Sequence, residues 1–290
     1  MKQANILITG ATGSIGTTLA KQLSAQGIPF RAMVRTSNDA ARALHALPGA
    51  EAVIGDFNDP GSVAKALQGI EKAFLLTNSS EQTEKQQSDF VAQARQSGVQ
   101  HIVKLSQLHA NTSSPVRFLR YHAAVENNIR ASGMDYTFLR PNLFMQGLLG
   151  FRDQIVHQGK FFATAGDAPI SLVDIRDITA VAALALSTPG HAGKIYDITG
   201  PESLTHTELA AKLSTALGRP ISYINVTPEQ LLQALSHAGF PLWQAEGLIE
   251  DYAHYARGEA AAVSPVVQQL TGHAPRSFDG FLQDYAAMLA

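Results

Sequence analysis

Three glycines near the N-terminus carry the clearest chemistry. The segment Ile6-Leu-Ile-Thr-Gly10-Ala-Thr-Gly13-Ser-Ile-Gly16 sets a glycine at every third position, after an apolar run and before a stretch of helical periodicity. A strand, a glycine turn and a helix in that order form a cradle for a pyrophosphate. Gly10 permits the tight turn, Gly13 lets backbone approach the phosphates, and Gly16 lets the helix pack close to the strand. Thr12, Ser14 and Ile15 stand where free N–H groups and the positive end of the helix dipole meet the phosphate charge. The competing reading is an ordinary turn with tight helix packing. The strand before and the helix after argue for the cradle.

A second candidate stands at the end of the next apolar run, Phe30-Arg-Ala-Met-Val-Arg35-Thr-Ser-Asn38. A site for NAD(H) usually ends this strand with an acid that binds the ribose hydroxyls. Arg35 stands there instead, and a guanidinium forks onto a 2′-phosphate. Ser37 and Asn38 add hydrogen-bonding groups, so the pattern points to NADP(H). Arg31 sits at the strand start and is the weaker rival. Thr77 and Asn78 close the fourth strand, where the middle of a dinucleotide passes.

These residues need a scaffold, and the sequence supplies one. Strands are expected at Ile6–Thr9, Phe30–Val34, Ala52–Ile54, Ala73–Thr77, Ile102–Leu105 and Tyr136–Leu139, with helices between. Ile15, Leu19 and Leu23 recur every four residues before Gly27. Asp59-Pro60 is an N-cap with proline at the first helical position. Strands alternating with helices imply a Rossmann-type, doubly wound parallel sheet of the α/β class. The expected dinucleotide domain is 1–141, with the chain returning at about 170–200. A smaller, mostly C-terminal α/β substrate lobe takes 142–169 and 201–290. In that lobe Thr205 with Glu208, and Thr227 with Gln230, are capping boxes, and Phe278–Leu289 is a terminal helix. No repeat is evident in 142–169.

Composition narrows the functional classes. The 290 residues are 45% hydrophobic and 16% charged, with 22 Lys plus Arg against 24 Asp plus Glu. A formal net charge of −2 gives no broad attraction to nucleic acid or anionic membrane, and no basic stripe with interleaved aromatics is present. The absence of cysteine excludes disulfides and thiolate chemistry. The ten histidines show no metal-ligand spacing, so no metal is expected. The N-terminus lacks a signal-peptide layout, and no apolar run approaches the roughly 18 residues of a membrane span. A cytoplasmic protein is expected.

The opening Thr9-Gly10-Ala-Thr-Gly13-Ser-Ile-Gly16 resembles the extended and atypical branches of the short-chain dehydrogenase/reductase superfamily. Typical members pair a Tyr with a Lys four residues on, and add a Ser. Here Tyr121 is followed at that distance by Val125. Glu126 aligns His122 with the Lys position and Phe118 with the Tyr position. That swap, the string Met134-Asp-Tyr-Thr-Phe-Leu-Arg140-Pro-Asn142 and the tail Val266–Phe278 resemble the NmrA-like atypical reductases, near the quinone oxidoreductase 2 and triphenylmethane reductase groups.

The resemblance implies bound NADP(H), with Asp56 at the adenine amino group and Phe57 lining the adenine slot; locally, Asp56 reads equally well as a turn acid. It implies hydride transfer to a flat conjugated small-molecule acceptor, most plausibly a quinone. His122 is the candidate for orienting the nicotinamide ribose or donating a proton, its unperturbed pKa being near 6.5; a lone helical His is as readily a packing residue. Ser106 ends the fifth strand and is the second catalytic candidate, and Lys104 shares its side of that strand, facing cleft or solvent. Asn142 falls where the family contacts the cofactor amide, mostly through backbone. Tyr121 is expected to point away from His122 and to pack. Asp174 and Asp177 are expected to cap and position. Phe144, Met145, Phe151, Phe161, Phe162 and Trp243 either roof a flat substrate or form a lobe core. The alternative function is an NADP(H)-sensing regulator that signals through a protein partner without turnover; a nucleotide-sugar enzyme is a third option.

Overall fold

The computed structural model describes residues 4–290. Among the described residues nine strands form in chain order: β1 Ile6–Ile8, β2 Phe30–Val34, β3 Ala50–Ile54, β4 Lys72–Leu75, β5 His101–Leu105, β6 Asp135–Pro141, β7 Lys160–Ala163, β8 Lys194–Ile198 and β9 Ser222–Asn225. The main sheet has the order β3-β2-β1-β4-β5-β6-β8. Pairing is parallel from β3 across to β6. β1, β2 and β5 are buried along their whole length, as central strands covered on both faces must be. β3 closes the edge and is only partly buried. The doubly wound sheet expected from the alternation is therefore present.

The linking helices are α1 Ser14–Ala25, α2 Asp39–His45, α3 Pro60–Ala66, α4 Thr83–Gln96 and α5 Arg117–Ser132. Their starts follow local chemistry. Asn38 accepts from Ala41 N and opens α2. Asp59 accepts from Gly61 N and Ser62 N ahead of Pro60 and opens α3. Leu7, Met33, Val63, Phe90, Ile102, Val125 and Phe138 belong to one buried cluster that joins these helices to the sheet.

The chain divides into two compact units. One runs to Ser113 and takes in Leu119–Arg140 and Ile178–Tyr196; the other holds Ser114–Phe118, Pro141–Asp177 and Asp197–Ala290. The chain returns to the first unit at Ile178–Tyr196, and the five residues before Leu119 belong to the second. α6 Arg152–Gln158, α7 Ile175–Ser187, α8 His206–Leu217, α9 Pro228–His237, α10 Leu242–Ala256, α11 Val266–Thr271 and α12 Phe278–Leu289 complete the chain. Both capping boxes form, at Thr205 and at Thr227.

The stretch 142–169 holds more structure than its sequence suggests. A 3-10 segment, Met145–Phe151, leads into α6, and β7 pairs in parallel with β9. Around Ile170 the chain forms only isolated bridges, Ile170 with Leu204 and Phe144 with Val173. Met145 and Phe161 sit in the second unit's core, and Phe151 packs against it. For those residues the lobe-core reading describes the fold. No helix among the described residues is long and apolar enough to cross a membrane.

Candidate functional site

The sheet order reverses between β1 and β4, and a groove of about 570 Å³ opens at the C-terminal ends of β1 to β4. Crevices at such a switch point are where open α/β sheets take ligands. Of the residues singled out from sequence, Gly10, Thr12, Gly13, Ser14, Ile15, Arg35, Asp56, Phe57, Thr77 and Asn78 all line this groove.

The glycine turn is built for close approach. Gly10 has φ 61°, a left-handed conformation that favours glycine. A Cβ on Gly16 would stand 2.2 Å from the Gly10 carbonyl oxygen, so only glycine lets α1 begin there. Thr9 fastens the turn from below: its Oγ1 accepts from Leu76 N at 2.8 Å and lies 2.9 Å from Leu76 O. The start of α1 has no side-chain cap and no acid in its first turn. Its orphan N–H groups and dipole therefore remain available to an anion. Gly16 itself lies buried behind the turn.

Arg35 is exposed, and no hydrogen bond or ion pair among the described residues engages it. Arg31 is the opposite case: buried, it donates to Ala66 O and Gln68 O at 2.8 Å and pairs with Glu51. Asp56 accepts from Asn58 N at 2.8 Å through one carboxylate oxygen. Phe57 packs on Phe90 at 5.6 Å between ring centroids. α4 braces the end of β4, with Gln87 Nε2 donating to Thr77 Oγ1 and Thr83 Oγ1 to Asn78 O. A cradle that excludes a Cβ, an uncapped helix start and an unengaged guanidinium in one groove fit a phosphorylated dinucleotide.

His122 and Ser106 do not line the groove. They belong to a buried polar cluster between the ends of β5 and β6 and helix α5. Lys104 is fully buried, with Nζ 2.9 Å from Leu105 O and 2.9 Å from His122 Nδ1. Ser106 donates to Glu126 Oε1 at 2.6 Å. Arg140 donates to both Glu126 oxygens, at 2.9 and 2.6 Å. Burial pushes the Lys104 amine down to about 7 against the upward pull of Glu126. Burial first, and then the charges of Lys104 and Arg140, hold His122 well below the usual imidazole range.

Several expectations change here. His122 is a neutral ring at neutral pH, so an ordinary pKa near 6.5 no longer supports it as the acid. Ser106 has one hydroxyl proton, and Glu126 takes it, which leaves none for an acceptor carbonyl. Tyr121 does not turn away from His122: the rings lie 4.2 Å apart, and the phenol is 2.9 Å from Ser79 Oγ. Ser79 sits between the groove residues Asn78 and Ser80. The Asn142 amide is engaged inside the second unit, donating to Ser171 Oγ and Ala260 O at 2.8 Å and accepting from Leu143 N. Its side chain is a lobe brace and offers no free N–H. Asp174 and Asp177 bind Arg176 and Arg276, as positioning groups do. Phe118 lies buried against Trp243 at 5.5 Å.

The sequence alone places Lys104 only on a side facing cleft or solvent. Its signal is a cation within the run His101-Ile-Val-Lys-Leu105, in period-two register with Ser106.

Comparison with known proteins agrees with this architecture. The sequence model of the NmrA-like family matches residues 2–282. An NAD(P)H azoreductase of Xenophilus azovorans is 36% identical over 282 residues, covering 97% of this chain and 98% of that protein. The solved NADPH-dependent quinone oxidoreductase of Escherichia coli in complex with NADPH superposes with a TM-score of 0.87 at 30% identity, covering 97% of this chain and 99% of that one. The triphenylmethane reductase of Citrobacter sp. complexed with NADP(H) gives a TM-score of 0.85 at 29% identity, covering 96% and 99%.

Proposed function

Because the chain belongs to the NmrA-like family, we propose that it is an NADPH-dependent reductase acting on a flat conjugated acceptor of the quinone class. The observation that carries this reading is the unengaged Arg35 guanidinium in the same groove as the uncapped start of α1. The backbone of Gly10, Thr12, Gly13, Ser14 and Ile15 would hold the pyrophosphate, and Arg35 the 2′-phosphate. Asp56 and Phe57 would take the adenine, Thr77 and Asn78 the middle of the cofactor, and His122 would either orient the nicotinamide ribose or donate a proton. When bound, the reduced nicotinamide supplies the hydride.

The missing Tyr–Lys pair is compatible with such an acceptor. A quinone that has gained a hydride is a far weaker base than a simple alkoxide, so a strong positioned acid is less needed. The same absence favours a second reading, an NADP(H) sensor without turnover. Mixing the purified protein with NADPH and a panel of quinones, and following the reduced-nicotinamide absorbance, separates the two. Acceptor-dependent oxidation is expected. Tight NADPH binding with no oxidation by any quinone would leave the sensor.

A further inference from the structure

We propose that Lys104 and His122 form a two-residue proton relay, with Lys104 as the reservoir and His122 as the group that hands a proton to the reduced acceptor. The inference rests on the reductase reading above and deepens it.

The first argument is the way Lys104 is buried. A structural lysine in a protein interior is held by a carboxylate, because an unpaired ammonium is costly there. Glu126 is the nearby carboxylate, but its oxygens are bound by Ser106 and Arg140. Lys104 instead has two neutral neighbours, the Leu105 carbonyl and His122 Nδ1. An ammonium carries three N–H bonds, so one has no acceptor among the described residues. In register, Lys104 is flanked by Leu75 of β4 and Phe138 of β6, neither charged. The charged groups facing the pair are Glu126 from α5 and Arg140 from β6. A site this poor in counter-charge lets the amine give up and regain a proton near neutrality, which suits it to proton transfer.

The second argument is the orientation of His122. A protonated amine only donates, so Nδ1 accepts and the ring proton sits on Nε2. Among the described residues His122 has a hydrogen bond at Nδ1 and none at Nε2, and the residue as a whole is buried, at 9% exposure. Tyr121 fixes the ring plane at 4.2 Å, and its phenol reaches Ser79 beside the groove. Lys104 comes from the strand and His122 from the helix, so the pair forms without the Tyr–Lys motif.

The step balances as follows. A quinone that has gained a hydride carries one negative oxygen. An O–H bond forms there as the Nε2–H bond of His122 breaks. The Nδ1–H bond forms as an Nζ–H bond of Lys104 breaks. The imidazole stays neutral with its tautomer exchanged, and Lys104 becomes an amine. Water returns one proton to Nε2, and the Nδ1 proton moves back to Lys104.

The test compares two acceptors. A quinone needs a hydride and a proton; a cationic triphenylmethane dye needs the hydride alone. Lys104→Met keeps the volume and removes the proton. The ratio of quinone to dye kcat is expected to fall about a hundredfold in K104M, and its solvent deuterium isotope effect to disappear. Equal losses on both acceptors would overturn the relay and leave Lys104 structural. A wild type that reduces neither acceptor would instead sink the reductase reading. Nitrogen-15 NMR of the His122 ring tests the relay without turnover: the proton should sit on Nε2 in the wild type, and that preference should weaken in K104M. A wild-type proton on Nδ1 would overturn the proposal, whatever the activity.

Discussion

Ser106 donates to the Glu126 carboxylate at 2.6 Å, and the same carboxylate is clasped by Arg140 through two hydrogen bonds. Strand β5, strand β6 and helix α5 are thus tied at one buried acid. Glu126 is fully buried, while Arg140 keeps partial access to water. Removing the charge takes the carboxylate away from Arg140 and from Arg130, which also pairs with it. Glu126→Gln is expected to cost about 3 kcal/mol in urea unfolding, near the low end for breaking a buried pair. Ser106→Ala should cost about 1 kcal/mol and leave kcat/KM within about tenfold, smaller than the loss of a general acid. A larger kinetic loss with unchanged stability would restore Ser106 as a substrate contact.

Arg35 is the cofactor-choice prediction. An ionic hydrogen bond to phosphate contributes about 1.5–3 kcal/mol. Arg35→Ala should therefore weaken NADPH about ten- to hundredfold and leave NADH nearly unchanged in fluorescence titrations. Equal losses for the two cofactors would remove the 2′-phosphate assignment.

Gly16 tests the turn. An added methyl meets the Gly10 carbonyl oxygen at 2.2 Å, and backbone rather than a flexible side chain would have to move. Gly16→Ala is expected to destabilise the fold by at least about 2 kcal/mol. It should also abolish measurable NADPH binding at concentrations that saturate the wild type. Gly98 is the control: its Cβ would meet nothing within 4 Å, but its φ is +83°. Gly98→Ala should carry a backbone cost and leave binding intact.

What was legible in the sequence was local. The glycine turn, the Asp59-Pro60 start and the capping boxes at Thr205 and Thr227 each depend on a few adjacent residues, and each forms. Arg35 was legible because a strand end fixes where a side chain emerges. The relay pair was not. Period two places Lys104 beside Ser106, but only the packing of α5 decides whether that side is water or protein. Asn142 was misleading for the same reason: its partners Ser171 and Ala260 lie far along the chain. β7 and α6 were missed because β7 is four residues and α6 seven, too short for a period to show.

Buried histidines weaken the fold in acid, and His206 and His101 join His122 in this. Burial pushes His206 down to about 4; its ring lies among Phe161, Tyr223 and Tyr252, and Nδ1 has no partner. Burial and, secondarily, Lys72 push His101 down to about 4, with Nε2 on Thr137. Each is neutral when folded and takes a proton near 6.5 when unfolded. Between those values the unfolded chain binds more protons, so stability is full above about 6.5 and falls as pH drops toward about 4. Each ring contributes about a tenfold loss in the folding constant per pH unit over that window. His206→Phe keeps the aromatic packing and removes one titration. Urea midpoints at about pH 7 and about pH 5 should therefore differ less in this variant than in the wild type. An unchanged difference would show that His206 already titrates normally in the folded protein.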